Sequence, residues 1–221
     1  MKTILIAPFE GPLAAALGER ARAAGWSAAL GMARPGAGGT AKSLEAAEAA
    51  GAAKASAFAY DPRSCASASA LVMSAATALG GLDAAVLVSS AATVKADFPA
   101  GKPADIAQLV DERCAGPLYL ARELARRFEE KGSGRILLFA QESPRDAEAG
   151  PAAALAYGAF EGLGKGLFAA SGGKGWAAYG LRDSSGAPDR AARLALELLE
   201  ESRPSRAGRW MRFSGKSGLF G

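Results

Sequence analysis

Short, unbroken apolar runs alternate along this chain with longer stretches in which apolar residues recur every three or four positions. TILIA at 3–7, AAVLVS at 84–89 and ILLFA at 136–140 have the length and continuous hydrophobicity of strands buried on both faces of a parallel sheet. Weaker runs at 27–31, 55–60, 176–181 and 209–213 bring the strands to seven. Helical spacing predicts helices over 13–24, 43–50, 64–79, 106–131, 151–171 and 188–202. The punctuation agrees: Gly25 follows the first helix, Ser64 stands as N-cap of the third, and Pro188 opens the last at its first turn. Arg126, Arg127 and Lys131 sit near the negative end of the long helix. Strict alternation predicts one doubly wound α/β Rossmann domain spanning 1–221. Its expected parallel sheet has the order 3-2-1-4-5-6-7, with three helices on each face.

Composition narrows the chemistry. The chain has 221 residues and no histidine, which removes His-based triads and any imidazole base. Two cysteines, Cys65 and Cys114, make neither a disulfide framework nor a zinc cluster. The formal charge of +4 comes from Lys and Arg spread along the chain, so a solvated surface is expected rather than a nucleic-acid footprint. No apolar run reaches the length of a membrane span and no leader pattern opens the chain, so a cytoplasmic protein is expected.

Three segments carry a family resemblance. Leu82-Asp83-Ala84-Ala85-Val86-Leu87-Val88-Ser89-Ser90-Ala91-Ala92 is similar to the LDxLVNNAG motif of short-chain dehydrogenases/reductases. Lys131-Gly132-Ser133-Gly134-Arg135-Ile136 resembles that family's junction into strand five, and Tyr157-Gly158-Ala159-Phe160-Glu161 falls at its Tyr-x-x-x-Lys. In order and spacing the resemblance covers nearly the whole chain. It implies a Rossmann fold, a nicotinamide cofactor and oxidoreductase ancestry.

The nucleotide loop departs from the family's Thr-Gly-x-x-x-Gly-x-Gly. Pro8, Pro12 and Ala14 stand at the glycine positions, and Gly11 is one place out of register. Proline lacks the N–H that could bind phosphate, and Glu10 adds a negative charge where phosphates would lie. The resemblance assigns cofactor contacts to Pro8, Phe9, Glu10, Gly11 and Leu13, to Arg34 after strand two, to Asp61 and Pro62 after strand three, and to Ser89, Ser90 and Ala91 after strand four. With an arginine and no acid after strand two, NADP is the implied dinucleotide if any binds. Arg34 also reads as a surface arginine, and Asp61 as an ordinary turn acid. Weak or absent dinucleotide binding is expected.

The catalytic set is eroded in the same way. The family's Asn maps to Arg113 and its Ser to Gln141, with Ser143 better spaced from Tyr157. The tyrosine survives as Tyr157, but its lysine is Glu161. An ammonium lowers a phenol's pKa, whereas a carboxylate raises it. Lys165 is a substitute cation roughly 80° around the helix from Tyr157, and Arg113 is another. Tyr157 otherwise lines a vestigial cleft. Two readings follow. One is a non-catalytic binding or oligomer-partner module; the other is an NADP-dependent carbonyl or enoyl reductase using Tyr157 with Lys165. The resemblance also implies a homo-oligomer, or pairing with a related subunit, through the helices at 106–131 and 151–171.

Overall fold

The structure, a computed structural model, describes residues 2–33, 55–90, 102–142 and 150–215. Seven parallel strands form one sheet: β1 (Thr3–Ala7), β2 (Ser27–Ala33), β3 (Ala55–Tyr60), β4 (Ala84–Ser90), β5 (Gly134–Gln141), β6 (Trp176–Asp183) and β7 (Trp210–Phe213). Their order is β3-β2-β1-β4-β5-β6-β7, as the alternation predicts. Ile4, Leu5, Ile6, Ile136, Leu137, Leu138 and Phe139 are wholly buried. Because both faces of the sheet are covered, these strands need no polar alternation.

One face carries α1 (Gly11–Ala23) and α6 (Pro188–Glu200); the expected helix at 43–50 lies outside the described residues. The other face carries α2 (Cys65–Leu79), a long interrupted helix, and α5 (Gly150–Ser171). Local signals set several ends. Ser64 accepts a hydrogen bond from the Ser67 N–H at 3.2 Å, capping α2, and Gly80 closes that helix in the left-handed conformation. The first helix begins at Gly11, two residues before the apolar spacing suggested, because Pro12 suits a first helical turn.

The long helix corrects the sequence reading. It is not one α-helix over 106–131 but α3 (Pro103–Val110), a π turn over Asp111–Ala115, and α4 (Gly116–Lys131). Pro117 supplies the reason. It has no N–H to give the Arg113 carbonyl, and its ring would crowd that carbonyl in a regular α-helix. The ladder widens instead, and the Gly116 N–H reaches back to Asp111. A Cβ on Gly116 would lie 2.9 Å from the Pro62 carbonyl oxygen, so glycine lets the helix meet the end of β3. The π turn brings Arg113 and Glu112 to the carboxyl edge of the sheet. No helix among the described residues is long and apolar enough to cross a membrane.

Candidate functional site

The carboxyl ends of β1 to β4 open into a cleft of about 410 Å³. It lies where the strand order reverses about β1, the crevice in which open α/β sheets hold ligands. Glu10 is the N-cap of α1, yet its side chain makes no capping bond. Arg113 from the π turn donates to it at 3.4 Å, joining the two rims of the cleft.

Little of the α1 loop is left to cradle an anion. Pro8 and Pro12 have no N–H, and the Phe9 N–H is spent on the Gly31 carbonyl at 2.7 Å. The Phe9 ring turns into the core and lies 3.3 Å from where a Cβ on Gly18 would be. Leu13 is likewise core, whereas Pro8 and Glu10 line the cleft. Gly11 is exposed, with φ +73°.

Tyr60, the last residue of β3, lines the same cleft and is 2% exposed. Burial pushes its phenol well above the ordinary tyrosine value, and the Glu10 carboxylate adds to this while Arg113 partly offsets it. Pro62 and Ser89 line the cleft beside it. Asp61 accepts from the Arg63 backbone N–H and Nε at 3.0 and 3.1 Å, as a turn acid does.

Tyr157 lies on α5, half-buried. Its hydroxyl donates to Glu142 Oε1 at 3.1 Å, and Glu142 Oε2 accepts from Arg212 of β7 at the same distance. Glu161, at the family's lysine position, pairs with Arg182 of β6 at 2.7 Å. The Arg182 guanidinium sits 5.3 Å from the centre of the Trp210 ring. That indole is seated on Gly164 and Gly180, where a Cβ would come within 2.5 Å of it. Burial first, then the Glu142 and Glu161 carboxylates, drive the Tyr157 phenol far above its ordinary value; Arg182 opposes them.

Of the residues singled out from sequence, the structure brings Glu10 and Arg113 together and sets Pro8, Pro62 and Ser89 around them. It does not bring Arg113 to Tyr157. Lys165 is exposed on α5, and the charges acting on the phenol are Glu142, Glu161 and Arg182. Arg34, Ala91 and Ser143 lie outside the described residues, as does the Ser90 side chain. Sequence reasoning missed Tyr60, Glu112, Glu142 and Arg182. Glu142 had a usable signal, since it follows a strand at the ligand-bearing edge of a parallel sheet. Among the described residues no three of His, Cys, Asp or Glu are grouped to hold a metal ion.

Solved structures share this architecture. A short-chain dehydrogenase from Bacillus anthracis superposes with a TM-score of 0.78 at 17% identity, covering 97% of this chain and 95% of that one. A dehydrogenase/reductase from Sinorhizobium meliloti gives 0.77 at 20% identity, over 98% and 95% of the two chains. BdcA in complex with NADPH gives 0.75 at 20% identity, over 96% and 92%. The chain has the short-chain dehydrogenase/reductase fold. By sequence it matches no family model and no curated protein.

Set against the nicotinamide dinucleotide this fold implies, the residues present fit poorly. The short-chain dehydrogenase fold offers pyrophosphate the N-terminus of its first helix. Here two prolines, one committed N–H and a carboxylate stand there. Like charge and missing donors act in the same direction.

Proposed function

We propose that this chain is a non-catalytic binding module on the short-chain dehydrogenase/reductase fold, and that it acts within an oligomer. The observation that carries this reading is the Tyr157 phenol donating to Glu142 while Glu161 is held by Arg182. A hydride-transfer enzyme needs that phenol to exchange its proton near neutral pH. Two carboxylates and burial hold the proton on instead. The test is carbonyl reduction with NADPH by wild type and Tyr157→Phe. Wild-type turnover abolished by Tyr157→Phe would overturn the reading; no turnover by either is the expected result.

A second reading, an NADP-dependent reductase, draws on the fold shared with BdcA in its NADPH complex and on the cleft at the switch point. In that reading Arg182 is the cation already acting on the phenol. Arginine stabilises charge but does not relay a proton as lysine does.

Self-association through α4 and α5 is part of the proposal. Leu118 and Leu155 are each 52% exposed on these helices. A Cβ at Gly158, Gly162 or Gly166 would meet nothing within 4 Å, so α5 presents a face that a partner helix could approach closely. Light scattering at tens of micromolar is expected to report a dimer or tetramer, and Leu155→Glu to shift it towards monomer. A clean wild-type monomer would remove the homo-oligomer and leave only a related subunit.

A further inference from the structure

We draw no further inference here: the strongest candidate, the fully buried Asp183 carboxylate at the end of β6, has one oxygen without a hydrogen-bond partner, but its other oxygen is spent on the Ser185 N–H and hydroxyl at the turn into α6, it does not line the cleft already described, and nothing in the structure shows a ligand reaching it.

Discussion

Above pH 10 the protein is expected to lose stability along a slope approaching about 1.4 kcal/mol per pH unit from the buried Tyr60 phenol, to which the partly solvated Tyr157 adds a smaller share. Tyr60 and Tyr157 both have folded-state pKa values raised well above the ordinary tyrosine value of 10.0. In the unfolded chain each phenol ionises near that ordinary value. The folded state keeps both protons at a pH where the unfolded state has released them. The stabilisation is therefore complete below pH 10 and is lost as pH rises towards the folded values. Burial is the first cause at both sites. At Tyr60 the Glu10 and Glu112 carboxylates add to it against Arg113; at Tyr157 Glu142 and Glu161 add to it against Arg182. Tyr179, also raised by burial, acts in the same direction. Urea midpoints measured from pH 9 to 11.5 check the expectation. Tyr60→Phe should remove most of the slope, and Tyr157→Phe a smaller part because Tyr157 is partly solvated. Slopes unchanged in both variants would mean that these phenols titrate as if exposed.

That two tyrosines behave alike was only half visible in the residues. Tyr157 stood out because of the family spacing to position 161. Tyr60 ended an unremarkable run, ASAFAY, and nothing local distinguishes a strand's last residue that faces a cleft from one that faces solvent. The strands themselves were legible because a doubly covered sheet demands continuous apolar runs, and 3–7, 84–89 and 136–140 leave no competing period. Helix ends were read less well. The π turn at Asp111–Ala115 follows from Pro117 meeting a helix that tertiary packing keeps going. A proline in an apolar helical pattern signals an interruption, but whether it kinks, ends or widens the helix depends on its neighbours. Here the residue before it, Gly116, meets the Pro62 carbonyl, 54 residues earlier in the chain than that glycine.

The charge pairs were less legible still. Glu10 and Arg113 were each noticed for departing from a family pattern, yet no sequence signal pairs residues 103 apart. The same holds for Glu161 with Arg182 and for Glu142 with Arg212. Each acid that replaces or crowds a family residue has gained a guanidinium from a neighbouring element. The substitutions have thus been absorbed into a set of ion pairs. This explains why a single reversion should not recover hydride chemistry. Glu161→Lys would set an ammonium against the Arg182 guanidinium, while the Tyr157 hydroxyl would still donate to Glu142.

Removing Glu10 is the change with most to gain for dinucleotide affinity. Glu10→Gly should raise NADPH affinity by about ten- to a hundredfold, the equivalent of about 1.5–3 kcal/mol for one recovered charge-assisted hydrogen bond. The variant takes a carboxylate away from the N-terminus of α1, where the helix dipole favours an anion. It also releases Arg113, whose fork can then meet a phosphate from across the cleft. Pro8, Pro12 and the committed Phe9 N–H remain, so affinity should still fall short of a glycine-rich loop. Arg113→Ala separates the two contributions. It leaves Glu10 in place without its partner, and NADPH should bind no better than to wild type. Calorimetric titration of the three proteins with NADPH, at one salt concentration, reads the effect. If Arg113→Ala improves binding as much as Glu10→Gly does, the guanidinium rather than the carboxylate is what obstructs the site. If Glu10→Gly changes nothing, the prolines alone close the loop to phosphate. Adding Glu161→Lys to Glu10→Gly then asks whether chemistry follows binding. Turnover appearing in Glu161→Lys without the loop change would mean that the loop was never the barrier.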